Sequence, residues 1–546
     1  MTLTNSSMLA LMAHHAEQVP DRPAFLNDTE TLSWKQAFDR TCSLAAYLHD
    51  CGVSEKETVL VFMPRTIDTG VVLVALRALG ALVVLLPPEA DTDKDRSDLA
   101  GSYENPWFLS MDKESRLWTL ERGRHTFRFL TKDVPSGEGE ISSGKGLCEE
   151  ASSGKEPCEE ASSGKEPCEE ASSGKEPCEE APALSLRMET QLDEPSVVIY
   201  TAGSTGLHKG VVLSEYALVN QARFQGIAAG VTPDDRTMCV APMNHITGVV
   251  DLLHSIDTSC SIFLASTRYP KYILKAIQEY RCTRLDGVPT IFLMLVEATK
   301  DPGVDLSSLK SGVMAGSSYS PEQFQAIEEA LHICLYPSYG MTEMSPIICS
   351  PASDAPFEVR SRSVGPFAYG VTGVLKALSG EHVTGVCQEG EICVRGYMLM
   401  LGYHEDDGTL TRPVDEEGFF HTGDLGYLDE QGNLHITGRC KDIIIRGGEN
   451  ISCARIHSCV TRLPGVYDAV VMGIPDPKYG ETVGIFAVTD SYDEVGLLKD
   501  LGNVLRSCEM PASLIVSDKM PVNAAAKPDR KTIRLLLEKA AKKGVL

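Results

Sequence analysis

No stretch of this sequence is both long and apolar enough to cross a bilayer. The most apolar run, Val71 to Leu86, has sixteen residues and is interrupted by Arg77 and Gly80, short of the roughly 20 that a spanning helix needs. It reads instead as a buried helix ending near Gly80, then a buried strand, Leu82 to Leu86, stopped by Pro87-Pro88. Met1 to Ala16 has no basic segment ahead of its apolar positions, so a signal peptide is not expected. Met8, Leu9, Leu11 and Met12 share one helical face, with Ser6 or Ser7 as the cap. Basic residues are in deficit: 50 Lys and Arg face 76 Asp and Glu, for a net charge of −26. That excludes the broad basic surface of a nucleic-acid binder, while leaving room for a locally positive anion pocket. Cys-x-x-Cys pairs are missing, and the 17 cysteines are scattered apart from four in a repeat. Neither a zinc ribbon nor a disulfide framework is expected, and the usage suits a reducing cytoplasm.

What is present is a chain of 546 residues, long enough for more than one domain. Residues 20 to 130 alternate helical and short apolar segments, with a strand at Val59 to Met63 and a helix at Ile67 to Leu79. This is the βα rhythm of a largely parallel sheet. It resumes at Ser196, with strands expected at Val197 to Tyr200, Val211 to Leu213, Ser261 to Leu264 and Gly312 to Ala315. Helices are expected at Tyr216 to Ala228, Lys271 to Tyr280 and Pro321 to Ala330. After about Phe357 come short β segments with glycine turns, including a hairpin from Leu428 to Ile436 around Gln431-Gly432-Asn433. The fold class is therefore α/β: a large N-terminal domain of βα-wound sheets with a β-rich subdomain over 1–439, and a small mobile α+β domain over 440–546. The latter ends in a basic helix, Lys531 to Lys543.

Between the two βα stretches, residues 142–181 hold four tandem decapeptides. Three read Ser-Ser-Gly-Lys-Glu-Pro-Cys-Glu-Glu-Ala, and the first has Gly146-Leu147 in place of Glu-Pro. With no apolar period, the repeat has no core to build and reads as a disordered acidic insertion. Cys148, Cys158, Cys168 and Cys178 recur every ten residues beside glutamates, without metal-ligand spacing.

The richest segment for chemistry is Tyr200-Thr-Ala-Gly-Ser-Thr-Gly-Leu-His-Lys-Gly210. A strand enters it and a strand leaves it. Gly203 and Gly206 let backbone N–H groups approach an anion; Thr201, Ser204 and Thr205 add hydroxyl donors; Lys209 adds a cation. Such a loop suits a polyphosphate. It is not a Walker A loop, since Lys209 is followed by Gly210 and a strand rather than by Ser or Thr and a helix. Further on, Tyr339-Gly-Met-Thr-Glu343 combines an aromatic for a purine ring, a glycine for close approach, a hydroxyl and a carboxylate for a hard cation. Asp424, after Thr422-Gly423, carries a carboxylate suited to a pair of ribose hydroxyls.

These motifs resemble, in order, those of the adenylate-forming superfamily of acyl-CoA synthetases, peptide-synthetase adenylation domains and beetle luciferases. The loop is similar to the family's Tyr-Thr-Ser-Gly-Thr-Thr-Gly-x-Pro-Lys-Gly, differing at Ala202, Ser204 and His208. Gly390-Glu-Ile-Cys-Val-Arg-Gly396, Thr422-Gly-Asp-Leu425, Gly438-Arg-Cys-Lys-Asp442 and Lys527 follow. The resemblance covers nearly the whole chain outside the repeat. It implies that Tyr339 lies against adenine, with Gly340 and Met341 beside it, that Thr342 contacts the α-phosphate, and that Glu343 holds Mg²⁺. It places Gly316 and Ser317 along the adenine, Asp424 and Arg439 on the ribose, and His245 at the carboxylate pocket. It makes Lys527 the lysine bridging carboxylate and α-phosphate, and Lys441 the hinge of the C-terminal domain.

The resemblance further implies a two-step reaction: ATP and a small carboxylic acid give acyl-AMP and pyrophosphate, and a thiol then displaces AMP. Ile444-Ile-Arg-Gly-Gly-Glu-Asn-Ile451, with Gly447 and Gly448, is the form typical of CoA ligases. Ile246 stands where amino-acid-activating relatives keep an aspartate, and the sequence reaches Leu546 with no carrier domain after Lys527. Coenzyme A is the expected acceptor; a separate phosphopantetheinyl carrier protein is the alternative, and a non-catalytic role through the acidic repeat is the other. Where relatives carry two acidic residues after Asn450, this chain has Arg455 and His457, in what reads as the continuation of the Gly447-Gly448 hairpin.

Overall fold

The computed structural model describes residues 1–92, 96, 99, 101–112, 115–123, 125–134, 184–202, 208–299, 303–377, 380–383, 385–405, 407–446, 449–522 and 528–542. The repeat at 142–181 lies outside the described residues, between the strands His125–Phe129 and Val197–Ala202.

The first βα stretch builds a nine-stranded sheet around the parallel strands Trp107–Met111, Thr58–Phe62, Leu82–Leu86 and Val197–Ala202. The long apolar run divides as its glycine and prolines require: helix Asp68–Ala78, Gly80 at φ +77°, then strand Leu82–Leu86. All eleven residues of that helix are buried, because it lies between two layers. A Cβ on Gly70 would stand 3.1 Å from both Phe25, in the strand Pro23–Leu26, and Leu252, in the helix Ile246–Thr258. Arg77 is tolerated there because its Nε donates to Glu215 Oε2 at 3.1 Å and its guanidinium also reaches the Ala81 carbonyl, so the buried charge is paired.

The second sheet has eight strands in the order Ile347–Cys349, Cys334–Gly340, Ser311–Ala315, Arg284–Asp286, Arg236–Cys239, Ser261–Leu264, Pro23–Leu26 and Thr31–Ser33. The six inner strands are parallel, so their carboxyl ends share one edge. In open α/β sheets that edge is where ligands bind.

Next come four antiparallel strands: Val371–Lys376, Gly390–Gly396, Phe420–Leu428 and Leu434–Arg439. The last two form the expected hairpin. Asp429 Oδ1 accepts from the Gln431 N–H at 3.0 Å and the Asn433 N–H at 2.8 Å, and Gly432 supplies φ +81°.

From Ile444 onward the chain builds its own apolar cores. The strands Val466–Asp476 and Gly480–Thr489 carry the sheet, and the basic helix Arg530–Lys542 buries Ile533 and Leu537 against Val470, Met472, Ile474 and Phe486. The sequence pattern ran Ser452 to His457 on from the hairpin; the structure corrects this. The hairpin strand Glu449–Ser452 stops at Ser452, whose Oγ accepts from the Arg455 N–H at 3.3 Å and caps a helix, Cys453–Thr461.

Arg455 is not stranded on that helix. Its Nε and Nη2 donate to the two oxygens of Glu509 at 2.7 and 3.1 Å, and Arg506 Nη2 adds a bond of 2.7 Å. The Glu509 side chain is fully buried. Burial pushes its carboxyl upward, yet the bonds from Arg455 and Arg506 hold it down at about 2. A carboxyl lowered in the folded chain contributes stability above its ordinary titration range, and that contribution is lost as pH falls toward about 2. Arg455→Ala is expected to lower stability by about 1–2 kcal/mol at neutral pH, and by less at pH 3. Thermal unfolding of both proteins at the two pH values checks this; identical melting at pH 7 would remove the pair from the stability account.

Candidate active site

The phosphate-type loop begins and ends in register. Val197–Ala202 pairs antiparallel with His208–Leu213, setting Thr201 opposite Lys209 and Tyr200 opposite Gly210. Gly203, Ser204, Thr205 and Gly206 lie outside the described residues. Gly210 is fixed by packing: a Cβ there would come within 3.2 Å of Val198 and 3.3 Å of His404. The outer neighbour of this hairpin is the strand Gly402–His404, with Tyr403 opposite Val211.

Tyr403 joins two residues that stand 134 positions apart in the chain. Its hydroxyl donates to Glu343 Oε1 at 2.8 Å, and the Lys209 ammonium sits 4.5 Å from its ring centroid. Burial and the Glu343 charge push the Tyr403 hydroxyl up, which keeps it a donor. Glu343 is buried on the short turn Thr342–Met344, and among the described residues no ion pair is made to it. A buried carboxylate without a counter-charge, with only Oε1 engaged by Tyr403, suits an oxygen-seeking cation. The residues present therefore fit Mg²⁺.

Tyr339 and Gly340 close the strand Cys334–Gly340. The Tyr339 hydroxyl donates to Asp424 Oδ2 at 2.7 Å, and Arg439 Nε lies 2.9 Å from Asp424 Oδ1. Asp424 and Arg439 are register partners on neighbouring strands. Burial first, and the Asp424 charge second, push the Tyr339 hydroxyl well up, so it remains protonated. Each Asp424 oxygen keeps a further lone pair for a ribose hydroxyl.

Gly340 has no freedom: a Cβ would fall 1.8 Å from the Pro346 carbonyl oxygen, the same oxygen that accepts from the Met341 N–H at 2.8 Å. Gly316 and Ser317 are exposed where the strand Ser311–Ala315 ends, Gly316 at φ +87°. Both thus stand at the carboxyl end of the strand next to Tyr339. His245 stands at the same edge, after the strand Arg236–Cys239, as the N-cap of the helix Ile246–Thr258; its Nδ1 accepts from the Thr247 N–H at 3.3 Å. Cap and pocket wall are compatible positions, since a cap faces the strand ends.

Lys441 lies in the turn Cys440–Asp442 immediately after Arg439. Gly447, Gly448 and Lys527 lie outside the described residues. The strands on either side of the glycines pair with Arg446 opposite Glu449. The ends of the segment holding Lys527 are closed by a Val522–Pro528 bridge and an Asp529 N–H to Pro521 carbonyl bond of 2.8 Å.

Reading the motifs missed Tyr403. It sits sixty residues after Glu343 in a short β segment, and a Gly-Tyr pair carries no signal by itself.

The model of the family described as AMP-binding enzyme matches residues 12–404, and the chain belongs to that family. It is 27% identical over 535 residues to "3-[(3aS,4S,7aS)-7a-methyl-1,5-dioxo-octahydro-1H-inden-4-yl]propanoyl:CoA ligase" of Mycobacterium tuberculosis, covering 95% of this chain and 96% of that protein. It is 37% identical over 294 residues to the acyl-CoA ligase sidI of Aspergillus fumigatus, there covering 53% of this chain and only 50% of the relative. The fold is that of ATP-bound MatB from Rhodopseudomonas palustris, with a TM-score of 0.77 over 97% of this chain and 99% of that one, at 21% identity. Among the described residues no helix is long and apolar enough to cross a membrane.

Proposed function

We propose that the protein is an ATP-dependent acyl-CoA synthetase acting in the cytoplasm. The observation that carries this reading is the pair of linked groups, Lys209–Tyr403–Glu343 and Tyr339–Asp424–Arg439, which bring residues of three sheets together at the carboxyl end of the strand Cys334–Gly340 in an AMP-binding enzyme. The first has the charges for a metal-bound polyphosphate, the second the ring and carboxylate for a nucleoside. The thirteen cysteines of the described residues, all free thiols, support the location.

In the first step a carboxylate oxygen attacks the α-phosphorus, acyl-AMP forms and pyrophosphate leaves. Tyr339 packs against adenine with Gly316 and Ser317 along it, Asp424 and Arg439 hold the ribose, and Thr342 contacts the α-phosphate. Lys209 and the hydroxyls and glycines of 201–206 take the leaving phosphates, and Glu343 would hold Mg²⁺, which when bound would offset phosphate charge. Lys527 supports the attacking side, and His245 borders the acid. In the second step the CoA thiol, guided by Gly447 and Gly448, attacks the acyl carbon and AMP leaves. The two steps use two orientations of a domain 440–546 about a hinge at Lys441, against a body of 1–439.

The test is pyrophosphate release from ATP across short, medium, aromatic and polycyclic carboxylates, followed by supply of CoA or of a purified carrier protein as the sole acceptor. Acid-dependent pyrophosphate release with thioester only on CoA is expected. Thioester only on the carrier would replace CoA as acceptor, and no acid-dependent release would remove the adenylating role. Lys441→Pro is expected to spare pyrophosphate release and to block thioester formation, because the proline ring restricts φ at the pivot; equal loss of both steps in single-turnover assays would displace the hinge from this position.

A further inference from the structure

Beneath the acid-binding edge lies a polar cluster that the proposed reaction does not use. The helix Ile246–Thr258 turns Asp251 and His254, one helical turn apart, onto the sheet, where Asp286 ends the strand Arg284–Asp286. All three are buried to within 1% of full exclusion from solvent, as is Arg284. Four of their polar atoms have no nitrogen or oxygen partner: both oxygens of Asp251, which has only the weak Cys239 thiol beside it, Nδ1 of His254 and Oδ2 of Asp286. On His254 and Asp286 the opposite atoms are held. His254 Nε2 lies 3.0 Å from Thr237 Oγ1, and Asp286 Oδ1 accepts from the Val313 N–H at 2.8 Å. Orienting one side of a side chain while leaving its other donor atom open is the arrangement of metal ligands with an outer shell of hydrogen bonds.

One ligand-type atom from each of Asp251, His254 and Asp286 lies within 4.8 Å of the others. Ligands at the corners of a tetrahedron around zinc are about 3.4 Å apart, so small side-chain rotations close the set. Arg284 spends Nη1 on the Ala229 carbonyl at 3.0 Å and on Ser311 Oγ at 2.8 Å, while its Nη2 stays 3.8 Å from Asp286. One arginine faces two acid side chains in a region without solvent, and a divalent cation would take the place of the proton that burial favours on Asp251. An imidazole beside two carboxylates, in a packed interior that allows few ligands, suits zinc better than calcium or magnesium, which take six or more oxygens. The Cys239 thiol, in register with Asp286, interacts with Asp251 but stands outside the set of three. The other group of such side chains, Glu391, Cys393 and His421, offers no comparable vacancy: His421 already pairs with Glu391 at 2.8 Å and Asp415 at 3.1 Å, and Glu391 Oε1 takes the Gly423 N–H at 3.1 Å.

We propose that Asp251, His254 and Asp286 form a buried binding site for a divalent transition-metal ion of the zinc class. Its place indicates a positioning role. The helix it would pin is capped by His245, proposed to border the acid, and the strand it would pin ends at the same sheet edge, so one ion would fix that helix relative to the sheet.

The test uses the intact chain, stripped with chelator, dialysed against Zn²⁺ or Co²⁺ alone and freed of excess. Metal is counted by elemental analysis beside Asp251→Asn and His254→Gln, which keep side-chain size. About one equivalent more zinc is expected in the parent than in either variant, a difference that cancels zinc held by the remaining cysteines. The parent with Co²⁺ is expected to show the visible bands of a four-coordinate ion, weakened in both variants, and Zn²⁺ to raise its melting temperature. Equal metal content in folded parent and variants would overturn the site and leave Asp251 as a buried neutral acid. Where a variant does not fold, the parent decides alone: no retained zinc and no four-coordinate cobalt spectrum overturns it equally.

Discussion

Lys527→Ala is expected to slow acid-dependent pyrophosphate release by roughly 10²–10³, the usual scale for removing one fixed charge aimed at a developing anion. When a carboxylate attacks the α-phosphorus, both reactants are negative, and charge accumulates on the bridging and equatorial oxygens. The cations among the described site residues, Lys209 and Arg439, are assigned to the leaving phosphates and the ribose. The family resemblance implies that Lys527 supports the attacking side. Its segment is closed at both ends by the Val522–Pro528 bridge and the Asp529 to Pro521 bond, and the helix that follows is tied to the hinge turn by Arg530 Nη2 to Asp442 Oδ1 at 2.9 Å. In the proposed cycle Lys527 serves the adenylating orientation of the domain 440–546. Transfer to CoA from acyl-AMP supplied in the assay is therefore expected to survive in the variant. Single-turnover measurement of the two half-reactions decides it, and a loss shared evenly between them would mean that Lys527 only holds the fold.

Gly340→Ala is expected to cost at least about 10² in kcat/KM while leaving a folded protein. The added Cβ would sit 1.8 Å from the Pro346 oxygen, 2.8 Å from its carbon and 3.0 Å from Ile347 Cα. All three are backbone, so no side chain can swing aside, and the strand end must shift. Tyr339 and Glu343 flank that point and hold Asp424 and Tyr403 through bonds of 2.7 and 2.8 Å. A displacement near 1 Å breaks both, and misplacement on that scale costs roughly 10²-fold. Overpacking of this kind lowers stability by about 1–3 kcal/mol. Circular dichroism below the melting transition separates the two effects. A variant with parental kinetics would show that the turn after Gly340 moves as a unit, without disturbing the nucleotide contacts.

Much of the fold was legible in residue order. The apolar run at 71–86 had to break at Gly80, because a helix there would need a strand-forming Val-Val-Leu-Leu segment to continue it; the structure ends the helix at Ala78 and starts the strand at Leu82. Ser7 caps the first helix, accepting from the Ala10 N–H at 3.1 Å, as one of the two serines anticipated there. The strand Ser261–Leu264 has the bounds its composition suggested. Such features depend on neighbours within a few residues, where propensity, capping and turn chemistry act directly.

The motifs of the candidate site were legible for a related reason. A phosphate loop needs glycines and hydroxyls close together in sequence, and Tyr339 to Glu343 fits within one strand end and one turn. The family resemblance supplied the roles. By itself, then, the sequence determined the α/β class and the order of the motifs proposed to meet ATP.

Tertiary structure alone decided how those residues are held. Tyr403 reaches Glu343 and Lys209 only because the strand Gly402–His404 pairs with the far side of the loop hairpin. Arg455, a departure with no visible partner in sequence, finds Glu509 fifty-four residues later. Asp251, His254 and Asp286 converge because a helix face and a strand end meet across one layer. Each is a contact between positions far apart in the chain, set by sheet register and by which helix face packs inward. Local composition constrains neither, since the same residues could satisfy their propensities in many registers, and only the packed core selects one.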